Sequence, residues 1–157
     1  MDFTHFNEQG HAKMVDVTDK GVTHRTASAA GTIYMNPETI AAVRSGGITK
    51  GDVLSVAQVA GIMAAKRTSE IIPMCHPLML SGIDIRFAVN QNSIDMFSDV
   101  RCHGETGVEM EALTAVSAAA LTIYDMCKAL QKDMTISNIR LLKKTGGVRG
   151  NYERYEV

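Results

Sequence analysis

The chain has no tryptophan, no CxxC pair among its three cysteines, no surplus of charge and no run of about 18 apolar residues. Each absence removes a class of protein. Cys75, Cys102 and Cys127 are odd in number and widely spaced, which suits neither a disulfide framework nor a structural zinc knuckle, so they read as reduced thiols. Sixteen Lys and Arg against seventeen Asp and Glu leave a formal charge of −1. No global basic field therefore points to nucleic acid or an anionic membrane, and any anion site must be local. Without a charged-then-apolar leader or a spanning segment, a soluble, unexported, cytoplasmic protein is the expectation. Nothing resembles an interdomain linker either. The 157 residues, 45% hydrophobic, suffice for one domain with a sizeable core, carrying an N-terminal arm over 1–20 and a basic, glycine-rich tail over 143–157. Ten methionines suggest a core filled by flexible aliphatic groups rather than aromatic anchors.

The elements follow from periodicity and from the residues that break it. Alternation from Thr23 to Met35 predicts a strand that ends at Asn36-Pro37. Asn36 reads as an N-cap, with Pro37 opening a short helix that Gly46 and Gly47 stop. A second helix is expected from Asp52 to about Glu70, ending before Pro73. Ile83, Ile85, Phe87 and Val89 alternate with polar or small residues, and the turn-forming run 90–93 leads into 94–103, giving a hairpin. A long helix is predicted over 105–134, and Ile136, Ile139, Leu141 and Leu142 mark a last strand. Strand, helices, strand, strand, helix, strand is the order of a ferredoxin-like split βαβ in the α+β class, an antiparallel sheet with helices on one face.

The long helix is uncharged from Ala112 to Tyr124, and Leu113, Val116, Ile123, Met126 and Leu130 form a stripe for burial. Its ionisable groups sit near its ends. Glu109 and Glu111 at the start and Lys128 and Lys132 at the finish could simply complement the helix dipole. Asp125 does not fit that explanation, because it is an acid in the C-terminal half, although an i,i+3 pair with Lys128 would soften the conflict. Glu111 and Asp125 are 14 residues apart, so on one helix they are separated by roughly 21 Å. They cannot easily serve one small site unless the helix starts late, or unless neighbouring subunits complete the sites.

Two further stretches could carry chemistry. In KRTSEIIPMCHPLML, Pro73 and Pro77 stiffen the backbone on either side of His76. An imidazole titrating near pH ~6.5 suits proton transfer or hydrogen bonding to a substrate, and equally a structural turn. Cys75 has no visible partner beyond His76 and reads as a packing residue. KKTGGVRG at 143–150 combines three cations with three glycines. It suits either an anion-binding loop or a flexible tail, and it is not a Walker A motif. With Arg25, Lys50, Lys66 and Lys128, Lys144 completes a set of dispersed cations that could converge on a polyphosphate.

Together, MVDVTDK, KGDVLSVAQVAGIMAAKRTSEIIPMCHPLML, TGVEMEALTAVSAAALTIYDMCKALQKDM and LLKKTGGVRG closely resemble the molybdenum cofactor biosynthesis protein C family, the cyclic pyranopterin monophosphate synthases. The likeness covers nearly the whole chain in order, and the last residues of the tail fall outside it. It implies a reaction in which a cyclised dihydro-GTP is rearranged to cyclic pyranopterin monophosphate with release of diphosphate. By motif, the catalytic positions fall on Asp125 and Lys128. Substrate contacts fall on Met74, Cys75, His76, Met110 and Glu111, and further polar pocket positions on Lys50, Lys66, Glu109 and Lys144. Arg25 matches an arginine expected to cross from a neighbouring subunit.

The resemblance further implies a homohexamer, a trimer of dimers with sites at dimer interfaces. The residue types suit such chemistry. Asp125, Lys128 and His76 offer acids and bases for proton transfers, with burial expected to lower the lysine pKa, while Arg25, Lys50 and Lys144 suit the charge developing on the leaving diphosphate. No resident cofactor is expected; a magnesium ion could escort the triphosphate, but no residues announce its site. Two other classes stay open: a metal-dependent hydrolase using Cys75, His76 and His103, and a nucleotide sensor that binds without turnover.

Overall fold

A computed structural model describes residues 5–155. Alternating side chains give the first strand, β1 (Thr23–Tyr34), two faces: Ala27, Ala29 and Ile33 are buried towards the core, while Thr26, Ser28 and Thr32 point the other way. The Asn36 side chain accepts a hydrogen bond from the Thr39 amide, and Pro37 opens α1 (Pro37–Ser45), which closes on Gly46 at φ 70°. Asp52 caps α2 (Val53–Lys66) in the same way through the Ser55 amide. The helix predicted to reach Glu70 stops at Lys66 instead, and a single separate turn, α3 (Thr68–Ile71), follows Arg67. The Thr68 hydroxyl donates to the Ala65 and Ala64 carbonyls at 3.0 and 3.3 Å, competing for acceptors that a continuing helix would use.

The expected hairpin forms from β2 (Leu80–Val89) and β3 (Ser93–Gly104), followed by α4 (Glu109–Cys127) and β4 (Thr135–Thr145). A short strand that the sequence does not announce, β5 (Tyr152–Glu153), pairs with Lys143 and Lys144 at the sheet edge. The sheet order is β2-β3-β1-β4-β5 with every pairing antiparallel. β1 therefore lies between β3 and β4, the strands that α4 connects, and β3 lies between β1 and β2, which α1 to α3 connect. This interleaving is the ferredoxin-like α+β arrangement.

α4 is shorter than the 105–134 span predicted. Its last carbonyl, on Cys127, accepts from both Leu130 and Gln131 amides, so the chain turns and Leu130 is left exposed. Within the helix, Ala112, Ala115, Val116, Ala119, Ala120 and Ile123 are fully buried, and these small side chains let α4 lie close to the sheet. The buried Ser98 hydroxyl donates to the Ala112 carbonyl at 2.8 Å, tying β3 to α4. α2 packs beside α4 through Gly61, where a Cβ would come within 2.9 Å of the Ala115 carbonyl. Lys50, just before α2, reaches Asp125 near the end of α4. The two helices are therefore antiparallel.

Candidate functional site

A cavity of about 670 Å³ opens where the beginnings of β1 and α4, the end of β4, the PMCHP bend and the N-terminal arm meet. Arg25, Met74, Cys75, His76, Glu109, Met110, Glu111 and Lys144 all line it. Arg25 is only 8% exposed and hydrogen-bonded within its own chain. Its Nε donates to the Gly104 carbonyl and its Nη2 to the Glu105 carbonyl, both at 2.9 Å, at the end of β3. Lys144 arrives on β4, and Gly146 and Gly147 turn the chain at φ 88° and 83°. A Cβ on Gly146 would strike the His24 carbonyl and one on Gly147 the Arg25 guanidinium, so two glycines are required for this close passage. Residues 144–149 of KKTGGVRG form a loop held against the cavity. Beyond it, the Arg154 amide and Nε bond the Leu142 and Leu141 carbonyls and return the tail to β4.

His76 sits in its stiff bend with Nε2 donating to the Val15 carbonyl at 2.7 Å, which docks the arm on the cavity wall. Burial, reinforced by the Glu111 charge, pushes the Cys75 thiol up from its ordinary pKa, which keeps it protonated and makes it a poor nucleophile. Glu111 is only 4% exposed. Burial raises its carboxyl to a pKa of about 7, with the Glu109 charge acting in the same direction. It can therefore hold or release a proton near neutrality, a property that its place in a helix's first turn does not reveal.

A second charged centre stands at the other end of α4. Lys128 Nζ and Lys50 Nζ each lie 2.7 Å from a different carboxylate oxygen of Asp125, and Lys50 also donates to the Asp125 backbone carbonyl at 3.0 Å. These two bonds, from Lys128 foremost, hold the Asp125 pKa down to about 2, and Asp125 in turn raises that of Lys128. The expected lowering of the lysine is absent because both side chains are about half exposed, at 51% and 55%. Lys50, grouped from sequence with Arg25 and Lys144, is bonded to Asp125 within the chain and does not line the cavity that holds those two. Asp125 and Glu111 lie on one continuous helix, roughly 21 Å apart along its axis, so the structure separates the two sets. Lys66 is exposed at the end of α2, towards the start of α4 but outside the cavity lining.

The ligand set of the metal-hydrolase reading does not assemble. Cys75 and His76 face the cavity, whereas His103 pairs with His24 on the opposite face of the sheet, their ring centroids 5.0 Å apart. Among the described residues no group of three or more His, Cys, Asp and Glu is placed to hold a metal ion.

Comparison with known proteins identifies the family. The MoaC family model matches residues 14–147, a span holding every candidate position. The chain belongs to the MoaC family. A cyclic pyranopterin monophosphate synthase of Peptoclostridium acidaminophilum is 59% identical over 157 residues, covering 100% of both chains. Synthases of the same name from Thermoanaerobacter sp. (strain X514) and Heliobacterium modesticaldum are 62% and 58% identical over 98% of this chain, with 99% and 98% of their own lengths covered. Within this MoaC-family chain the cavity also takes lining from Val15, Val17, Lys20, Glu105, Thr106 and Arg149. Lys20 and the two valines lie in MVDVTDK, one of the stretches that carry the family resemblance, although the residues alone show only a short apolar run in a polar arm.

Proposed function

We propose that the chain converts (8S)-3',8-cyclo-7,8-dihydroguanosine 5'-triphosphate to cyclic pyranopterin monophosphate with release of diphosphate, a step of molybdenum cofactor biosynthesis carried out in the cytoplasm. The observation that carries this reading is the match to relatives of that name from end to end. The geometry supports it. Arg25, Lys144 and Arg149 bring cations to a cavity large enough for a nucleotide-sized ligand, where they suit the charge that develops as a substrate hydroxyl displaces diphosphate. Ring opening and reclosure require proton transfers. Glu111 titrates near neutrality, and Lys128, protonated beside an ionised Asp125, is a proton donor with its charge partner in place.

The active unit in this proposal is a homohexamer, a trimer of dimers, with each site shared by two copies. A lysine–aspartate pair in solvent is a weak catalytic device, whereas covering it would favour the neutral lysine. The outer face of α2 and α4 suits such a cover. No charge occurs from Val53 to Ala65 or from Ala112 to Tyr124, and Val56, Val59, Met63 and Leu121 are exposed there. Apposing two copies of this face with their α4 helices antiparallel would set the Asp125 centre of one against the cavity of the other, so Arg25 would reach the Asp125 centre from a different subunit. Magnesium enters this proposal only as an escort of the substrate triphosphate.

The test is incubation of the purified chain with the cyclised dihydro-GTP, measuring diphosphate and pterin product together. Equal amounts of both are expected, and Asp125→Asn should lower turnover by about 10²-fold or more. Binding without diphosphate release would make the chain a nucleotide sensor, and full turnover by Asp125→Asn would remove that residue from the mechanism.

A further inference from the structure

We propose that residues 13–20 form a strap that closes over the phosphate end of the substrate, with Lys20 as a substrate-binding cation and His76 as the latch that positions the strap. The proposal rests on the reaction proposed above for the identity of the anion, and on the local geometry for everything else. Inside the arm the bonds are local: Asp16 Oδ1 accepts from the Thr18 amide and hydroxyl at 2.9 and 2.6 Å, and the Lys20 amide donates to the Val17 carbonyl at 2.9 Å. A bond to the body of the fold comes from His76, at 2.7 Å to the Val15 carbonyl. Val15 and Val17 are half-buried and line the cavity, while Met14, Asp16 and Thr18 between and beside them are exposed. One face of the segment is thus laid on the site while the other faces solvent.

Lys20 stands where this segment enters β1. Thr26 pairs with Thr145, and Gly146 lies against the His24 carbonyl, so the antiparallel register carries the residues before β1 alongside the loop 146–149. Lys20 and Arg149 both line the cavity there with Lys144, whereas the cavity carboxylates come from the separate stretch 105–111. A polyphosphate drawn to Lys144 and Arg149 gains a third charge-assisted contact when the strap is down, so binding favours the closed arrangement. Among the described residues the segment is held to the fold by the His76 hydrogen bond and two half-buried valines, so it opens readily without disturbing the sheet. His76 can hold this latch because Pro73 and Pro77 fix its backbone, and Nε2–H bonded to Val15 leaves Nδ1 as the ring's remaining polar atom.

The test uses the full chain and inorganic tripolyphosphate, with trypsin cleavage after Lys13 reporting the strap and calorimetry reporting binding. Saturating tripolyphosphate should slow that cleavage several-fold. Lys20→Gln should weaken tripolyphosphate binding by about tenfold, the size of one lost charge-assisted contact. His76→Ala should still bind the anion through the remaining cations while losing protection at Lys13, a split that general loss of structure would not produce. Three results overturn the strap: no binding by the parent chain, binding with Lys13 cleaved at an unchanged rate, or Lys20→Gln binding as tightly as the parent. Diphosphate release from the cyclised dihydro-GTP, assayed on the same sample, reads the reaction separately. Turnover with an unprotected arm rejects the strap alone, and protection without turnover rejects the reaction alone.

Discussion

Glu111 and Asp125 are carboxylates of one helix driven in opposite directions by their surroundings, and the difference has measurable consequences. A carboxyl with a folded pKa of about 7 against an ordinary 4.5 binds its proton more tightly folded than unfolded. Its effect on stability is therefore neutral at low pH and becomes a penalty as the pH rises from 4.5 to 7, amounting to roughly 3 kcal/mol above that range. Glu111→Gln cannot ionise and escapes the penalty. At fixed protein concentration it should melt with the parent at pH 4.5 and above it at pH 8, and parallel melting curves at both values would contradict the buried, raised carboxyl. Asp125 works the other way. Its contribution is full above the ordinary carboxylate pKa of 3.8 and is lost progressively as the pH falls from there through about 2. Asp125 could be singled out from sequence because an acid late in a helix opposes the dipole, and Lys128 because it lies three residues on. Lys50, 75 residues earlier in the chain, could be joined to them only by the fold. The raised pKa of Glu111, a position the resemblance had marked as a substrate contact, was hidden for the converse reason: an acid in a first helical turn has an ordinary explanation, and its burial is set by the fold.

At the scale of elements, caps and periodicity were the legible signals. Asn36-Pro37, Gly46 and Asp52 set helix ends where the side chains and backbone geometry now place them, and the hairpin follows its turn residues. The failures came where a tertiary contact outweighs local pattern. Residues 128–134 continue a helix-like sequence, but Met134 is buried in the core and β4 must begin at Thr135, so the chain leaves the helix at Cys127. β5, only two residues long, carries too little pattern to be seen and depends on Arg154 and the exposed edge of β4. The contact between α2 and α4 is equally invisible in sequence, since Gly61 looks like a weak point in a helix. Its lack of a side chain is what lets the helices meet. A Cβ there would meet the Ile85 side chain, which can move, and the Ala115 carbonyl, which can do so only if α4 moves. Gly61→Ala gains about 1 kcal/mol of helix propensity and loses about 1–3 to overpacking. A lowered melting temperature, by a few degrees, is expected. A melting temperature raised above the parent's would show that the two helices are not in backbone contact.

The whole chain presents a division that no single element explains. The cations and Glu111 of the cavity lie at one end of α4, and Asp125 with its two lysines lies at the other, joined by a helix whose middle is core on one side and uncharged on the other. A helix is too stiff to fold its ends together, so one substrate can meet both centres only if they come from different copies. Subunit mixing tests this directly. Asp125→Asn should disable one centre and Glu111→Gln the other, so each variant alone should be nearly inactive. If a two-fold interface shares the sites, random mixing makes half of the dimers mixed, and each of those regains one unaltered site of its two. The mixture should then recover about one quarter of the parent's activity. Val59→Glu, which buries a charge if the uncharged face of α2 and α4 is the interface, should abolish that recovery and lower the mass measured by sedimentation. Sites contained within single chains would give a mixture no more active than its components, whatever the oligomer, and would require a substrate path along the full length of α4.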